Sequence, residues 1–374
     1  MQNNLTHLSQ VFSQITDPRS KKGTYQPHTG ILALTFLGLL AGQNYFTHIY
    51  RWAKNHWKTL KTPLGFNTKN PPDRTTLSRL LAKISLNELQ DAFATFLSQI
   101  LQDQPLTVAV DGKVSKQILD EGGEVLQMLN VFVHDIKVVL MEWSVKGDKT
   151  NEPGCLKQHL GELLAQFPNL KILTGDAIFA QRPLLKVLKD KVNYVFQVKD
   201  NQPEIIEAIN ETFKDRESVT PAATSYSKKK GCVEKRRLWV DSENADWIRE
   251  ALDVPNCRSI FCVEWTSSEE GVEPEVRLFI SSLDLSEWTP EEILAFIRHH
   301  WSIENSLHFV KDRWRDEDRH YLSMPGLGER FTCLLNRAVS IQGLLKKGKE
   351  PLTAVAAWVR DKPKKFLKRL GFIK

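Results

Sequence analysis

The sequence lacks a hydrophobic run long enough to cross a bilayer. Its most apolar stretch, Ile31 to Gly42 (ILALTFLGLLAG), falls well short of the ~20 residues a membrane helix needs. It also lies behind a polar segment, unlike a secretory leader. A buried helix is the better reading, which argues against secretion or a membrane and for a cytoplasmic protein. Paired cysteine is missing as well. The five cysteines (Cys155, Cys232, Cys257, Cys262, Cys333) are odd in number and form no CxxC spacing. That argues against a zinc ribbon or a disulfide framework and fits a reducing compartment. Internal repeats and low-complexity segments are absent too, so solenoids and disordered arrays are set aside.

What is present is an ordinary globular composition, 41% apolar and 26% charged over 374 residues, long enough for two or three domains. The net charge is only +6, but its distribution is uneven. Residues 1–103 hold eleven Lys/Arg against five Asp/Glu, and residues 346–374 hold ten against two. The intervening residues are therefore net acidic. Basic ends around an acidic centre suit a chain that holds a polyanion at its flanks and cations in its middle.

Helical periodicity fills residues 1–103. A long apolar segment runs from about Gly30 to Lys58, a Pro/Asn-rich loop follows at Leu64 to Asp73, and a second helix pair spans about Arg74 to Gln102. The pattern changes at Gln104-Pro105. LTVAVDG reads as a buried strand ending in an Asp-Gly turn, and VLQMLNVFVHD and KVVLMEWSV read as two more strands. A helix (about Cys155 to Gln166), a strand KILTGDA, a helix (Pro183 to Asp190) and a strand YVFQVK follow. Three strands and then alternating helix and strand predict a mixed sheet with helices on both faces. From about Pro203 to Leu285, RRLWVD, SIFCVEW and VRLFISSL are spaced like strands of a separate sheet. Thr289-Pro290-Glu291-Glu292 opens a long helix through IRHHWSIENSLHFVKDRW. The chain closes in helices and a basic tail.

Three carboxylates stand out in this frame. Asp111 ends the first core strand, Asp176 follows KILTG, and Glu304 lies within the long helix. His300, Glu304, His308 and Lys311 share one stripe of it, beside the stripe of Ile293, Phe296, Ile297, Ile303, Leu307, Val310 and Trp314. Carboxylates gathered at one sheet edge repel one another and stay ionised together only around cations. Two Mg²⁺ ions ~3.5–4 Å apart would activate an attacking oxygen and steady a leaving one at phosphorus. Taken singly, each residue has a plainer explanation: an Asp-Gly turn, a strand-end Asp, a solvated helix Glu.

The segments around those carboxylates resemble the DDE transposases of bacterial insertion sequences, in particular the H-repeat-associated family within the insertion-sequence-four superfamily. DPRSKKGTY, LALTFLGLLAG and PPDRTTLSRLL resemble its N-terminal associated region; VAVDGK resembles the first-Asp segment, and DKTNEP its Lys-Ser-Asn-Glu segment. LTGDAIFAQ resembles the second-Asp block, VKDNQPEI the Lys-Gly-Asn-Gln block, and IRHHWSIENSLHFVKDRWRDED the block holding the Glu. The resemblance runs along nearly the whole chain. It implies an α+β fold: a ribonuclease-H-like mixed β-sheet core flanked by helices (104–202 and 286–330), interrupted by a β-rich insertion (203–285). A helical N-terminal DNA-binding region (1–103) and a helical basic C-terminal region (331–374) complete the expected organisation.

The same resemblance implies catalysis and metal binding by Asp111, Asp176 and Glu304, with two Mg²⁺ ions for which Mn²⁺ can substitute. The expected chemistry is hydrolysis at transposon ends followed by 3′-OH attack on target DNA. The partners implied are double-stranded DNA and a second copy of the chain. Lys113, Lys199, Asn201, Gln202, Arg298, His300, Asn305, His308 and Lys311 are the candidates for DNA contact. Asn151 and Glu152 are placed to approach the site. Ile297 and His300 stand where the superfamily's signature helix has Tyr and Arg, a departure that bears on its route of strand cleavage. Two other readings stay open: a catalytically silent or co-opted DNA-binding remnant, and a ribonuclease-H-fold nuclease without transfer activity.

Overall fold

The structure is a computed structural model and describes residues 4–20, 24–147, 151–229 and 231–373. Asp148, Lys149 and Thr150 of the DKTNEP segment lie outside the described residues, as do Lys21, Lys22 and Gly23.

Three antiparallel strands begin the sheet: β1 (Leu106–Leu119), β2 (Val125–Val133) and β3 (Val139–Ser144). β4 (Leu170–Gly175) and β5 (Asn193–Val198) then add in parallel on the other side of β1. The order β3-β2-β1-β4-β5, with β2 alone reversed, is the ribonuclease-H-like arrangement. Helix Glu152–Gln166 makes the crossover from β3 to β4, and helix Arg182–Leu188 the one from β4 to β5.

The expected separate second sheet does not exist. β6 (Ala223–Lys229), β7 (Cys232–Asp241), β8 (Ser259–Ser267) and β9 (Glu275–Ser281) continue the first one, because β9 pairs antiparallel with β5. The registered pair Phe196 and Ile280 is fully buried, so the join is a core feature.

Strand parity decides which groups meet. Val108 and Val110 point to the face where Leu156, Leu160 and Leu163 of helix Glu152–Gln166 pack. Ala109 points the other way, into a cluster with Phe132, Ile303, Leu307 and Val310. Asp111, two residues on, shares the Ala109 face. The helical turns that follow Pro290–His300 therefore lie over Asp111. Further along the sheet Ile293, Leu294 and Ile297 cover Ile172, Val195 and Phe279 on that same face.

Two helical segments are interrupted. The long apolar segment from about Gly30 to Lys58 is divided into His28–Leu40, Phe46–Asn55 and Trp57–Leu60. The first break falls at Gly42, whose φ of 77° ends the helix. The long helix after Thr289 stops at His300 and restarts as a π-helical turn, Glu304–His308, followed by Phe309–Trp314. Trp314 is exposed rather than core-facing.

The N-terminal helices are docked on the C-terminal half. Helix Leu327–Leu345 shares a core with His28–Leu40. Gln342 donates to the Leu40 carbonyl at 2.7 Å, and Arg315 to that of Leu39 at 3.0 Å. Among the described residues no helix is long and apolar enough to cross a membrane.

Candidate metal centre

Asp111 does not end its strand. β1 runs on through Gly112, which pairs with Leu129, and Lys113, which pairs with Met128. The glycine is needed for close approach, not for a turn. It faces the side of β1 opposite Asp111, and a Cβ there would stand 2.0 Å from Glu152 Oε1. The buried Glu152 carboxylate, at the start of helix Glu152–Gln166, therefore lies flat against the backbone beneath Asp111. Gln127 Nε2 donates to its Oε1 at 2.7 Å. Gly112→Ala is expected to expel Glu152 and cost about 1–3 kcal/mol by overpacking. Thermal unfolding checks this; an unchanged Tm would mean that Glu152 is not seated there.

On the other face Asp111 meets the π-turn. Its Oδ2 lies 3.6 Å from His308 Nδ1, which in turn is 2.9 Å from Glu304 Oε2. Ligand atoms of Asp111, Glu304 and His308 all lie within 4.8 Å of one another. Asp176 is not part of that close group. It follows β4, its Oδ1 accepts from Ile178 N at 3.2 Å, and its charge still acts on Asp111. Asp111 is thus grouped with Glu304 and His308 and also feels the charge of Asp176.

The electrostatics say what the arrangement lacks. Burial first, then the charges of Glu152, Asp176 and Glu304, push the Asp111 carboxyl up to about 8. A carboxyl held that high is mostly protonated at neutral pH, because burial and the neighbouring carboxylates both disfavour its charge. A divalent cation would offset this, and the oxygen-rich donor set suits a hard ion. The residues present therefore fit a metal.

The other predicted residues divide. Lys199, Asn201, Arg298 and Asn305 are exposed. Asn201 Nδ2 reaches the Ala177 carbonyl at 3.3 Å and Gln202 Nε2 that of Ala180, so both amides brace the turn that carries Asp176. Asn305 Nδ2 returns to the Trp301 carbonyl at 2.9 Å. Asn151 turns away to the Lys146 carbonyl.

Burial corrects three expectations of DNA contact, and a fourth residue, His300, is half-buried and engaged inside the protein. Lys311 is 0% exposed and its Nζ is 2.7 Å from Glu317, itself 0% exposed. Lys113 is buried against Asp312 at 2.7 Å and lies 3.9 Å from Glu317. Both cations are thus committed to internal acids and face no phosphate. His308 is buried against the carboxylates. His300 Nδ1 is 3.1 Å from Thr174 Oγ1, which also meets His134 Nε2 at 2.9 Å. Burial, with Arg277 nearby, lowers His300 to about 4, so it is uncharged at neutral pH and offers no cation to DNA. The acids of DRWRDED (312–318) were the sequence signal that these lysines have partners; Gln127 carried no such signal.

With this geometry in place, comparison with known proteins gives the class. A family profile described as "Transposase DDE domain" matches residues 137–335, and one described as "DDE_Tnp_1-associated" matches residues 9–97. The chain belongs to the DDE transposase family. Among its relatives in Escherichia coli K12, YbfL and the H repeat-associated YhhI are each 27% identical over 360 residues, covering 90% of this chain and 90% of theirs. A cryo-EM structure of the piggyBac transposase synaptic complex with hairpin DNA is a distant likeness. It has 11% identity and a TM-score of 0.42, and the match covers 96% of this chain and 78% of that one.

Proposed function

We propose that this chain cuts DNA at the ends of a mobile element and joins the freed 3′-OH to target DNA, using divalent cations held by Asp111, Asp176 and Glu304. The observation that carries the reading is the position of Asp111, grouped with Glu304 and His308 and pushed up to about 8 by burial and by the charges of Glu152, Asp176 and Glu304. Bound Mg²⁺ or Mn²⁺ would supply that charge, making an attacking oxygen more acidic and neutralising the phosphate under attack.

The chain's own residues do the rest. Strand β1 fixes Asp111 on a rigid element, and Asn130 beside it on β2 is held by Asn336 at 3.0 Å. Asn201 and Gln202 hold the Asp176 turn in register. Exposed Lys199 and Arg298 are the remaining cations of the candidate set, suited to phosphate contact. The basic stretches in 1–103 and 346–374 favour polyanion binding. Two ends must be handled at once, so a homodimer on DNA belongs to the same proposal, as does division of the chain into flanking DNA-binding regions around the interrupted core.

A supercoiled plasmid carrying the element's ends tests cleavage. Wild-type protein with Mg²⁺ or Mn²⁺ should nick it, while Asp176→Asn and Glu304→Gln should be slower by roughly 10³-fold or more, because each removes a group that steadies charge in the transition state. End binding by mobility shift should survive in both. Retained nicking in either variant removes that residue from the centre. A pre-nicked end with a target duplex should give joined product; cleavage without joining would instead mark a simple nuclease.

A further inference from the structure

Among the ligand atoms around Asp111, one is nitrogen rather than oxygen. His308 Nδ1 stands 2.9 Å from Glu304 Oε2 and 3.6 Å from Asp111 Oδ2. Two ligands bound ~2.1 Å from one ion at a right angle are about 3 Å apart, so these spacings are those of neighbouring donors around a single cation. The ring is buried at the end of the π-turn. Such turns are rare and concentrate at functional sites.

The far side of the ring leaves either tautomer available. Nε2 is buried and meets no hydrogen-bond partner among the described residues. A donor at Nε2 would lock a proton onto Nδ1, and an acceptor would lock it onto Nε2. Neither is present, so the tautomer is set from the Nδ1 side alone. Facing only carboxylates, Nδ1 carries the hydrogen and donates it. Facing a cation, it presents its lone pair.

We infer that His308 Nδ1 is a protein ligand of the cation on the Glu304 side of Asp111, which makes the two cation positions chemically unequal. The Glu304 side offers one imidazole nitrogen and two carboxylates, and the Asp176 side offers oxygen alone. Imidazole suits transition ions better than Mg²⁺. The Glu304 side should therefore fill first with Mn²⁺, while the Asp176 side accepts Mg²⁺. This rests on the cation-site reading of Asp111 proposed above.

Mn²⁺ added to the intact protein is the probe. Electron spin-echo spectroscopy of the first equivalent should show coupling to one ¹⁴N, replaced by ¹⁵N coupling when histidine is isotopically labelled. His308→Gln should lose the coupling and weaken Mn²⁺ binding about tenfold or more, with Mg²⁺ binding less affected. His308→Asp should keep tight binding without the coupling, which covers the case in which the Gln variant fails to fold. His7→Gln, at an exposed position in the N-terminal turn, should change nothing. Mn²⁺ bound through Asp111 without nitrogen coupling in the wild type, or with coupling that survives in His308→Asp, overturns the inference and leaves the cation site standing. Mn²⁺ binding unaffected by Asp111→Asn overturns the cation-site reading itself.

Discussion

Replacing Asp111 with Asn is expected to cripple DNA cleavage and to raise the melting temperature of the metal-free protein. The two effects have one cause. On the proposed reading Asp111 serves every cation of the centre, so its loss removes a charge that no neighbour supplies, and a fall of roughly 10³-fold or more in nicking is expected. In metal-free protein the same carboxylate is a liability, because its pKa is raised from 3.8 to about 8 by burial and by Glu152, Asp176 and Glu304. A carboxyl whose folded pKa lies above its unfolded one favours the folded state fully below the unfolded value. That contribution is lost as pH rises through the folded value. Wild-type metal-free protein should thus lose stability from about pH 4 to about pH 8, and Mg²⁺ at neutral pH should restore it. One pKa unit corresponds to about 1.4 kcal/mol, so even a fraction of this shift is measurable. Asp111→Asn should flatten the pH profile and abolish the stabilisation by Mg²⁺. Scanning calorimetry with and without chelator, from pH 4 to 8, checks it. A variant less stable than wild type at pH 7.5 without metal would contradict the electrostatic account.

The second large effect falls on stability behind the site. Lys311 and Glu317 are both 0% exposed and pair at 2.7 Å, with Lys113 a further 3.9 Å from Glu317. Lys311→Met leaves Glu317 with only the more distant Lys113, which already serves Asp312. Breaking a buried pair from one side costs about 3–5 kcal/mol, which would lower the Tm by roughly 10 °C in a chain of this size. Removing both charges together is much milder, since neither desolvated ion is left alone. Lys311→Met/Glu317→Leu should therefore recover most of the loss. A double variant as unstable as the single one would show that packing, and not the ion pair, holds this corner.

How much of this was legible in the sequence differs element by element. The five strands of the ribonuclease-H-like order were readable because their apolar runs are bounded by clear breaks, as in LTVAVDG and KILTGDA. β6 was not, because it lies at the sheet edge and buries only Ala223 among its seven residues, leaving no alternation to read. Helices Pro203–Thr212 and Glu243–Ala251 were passed over inside a stretch judged β-rich, although Pro203 and Glu204 form a helix-start signal. For the site, motif context picked out Asp111, Asp176 and Glu304, and the structure brings Glu304 to Asp111. Helical spacing put His308 and Lys311 on the Glu304 stripe, but spacing along a helix carries no information about burial. That is why cations read as DNA contacts turn out to be internal partners. Gly112 was misread for a related reason. An Asp-Gly pair looks like a turn until the carboxylate that needs the empty space, 40 residues further on, is known.

The continuity of the sheet has a consequence for how the protein comes into being. Asp111 is on the first strand to be made, yet Glu304 and His308 arrive almost 200 residues later, after the strands that extend the sheet from β5. Closing so long a loop is entropically slow, and contacts of high sequence separation form late in folding. A partly synthesised or truncated chain can hold most of its sheet and still lack a complete centre. On the proposed reading, the capacity to cut DNA emerges only once synthesis has passed the π-turn and the helix beyond it has docked, so that the order of translation itself would keep an unfinished chain from damaging DNA.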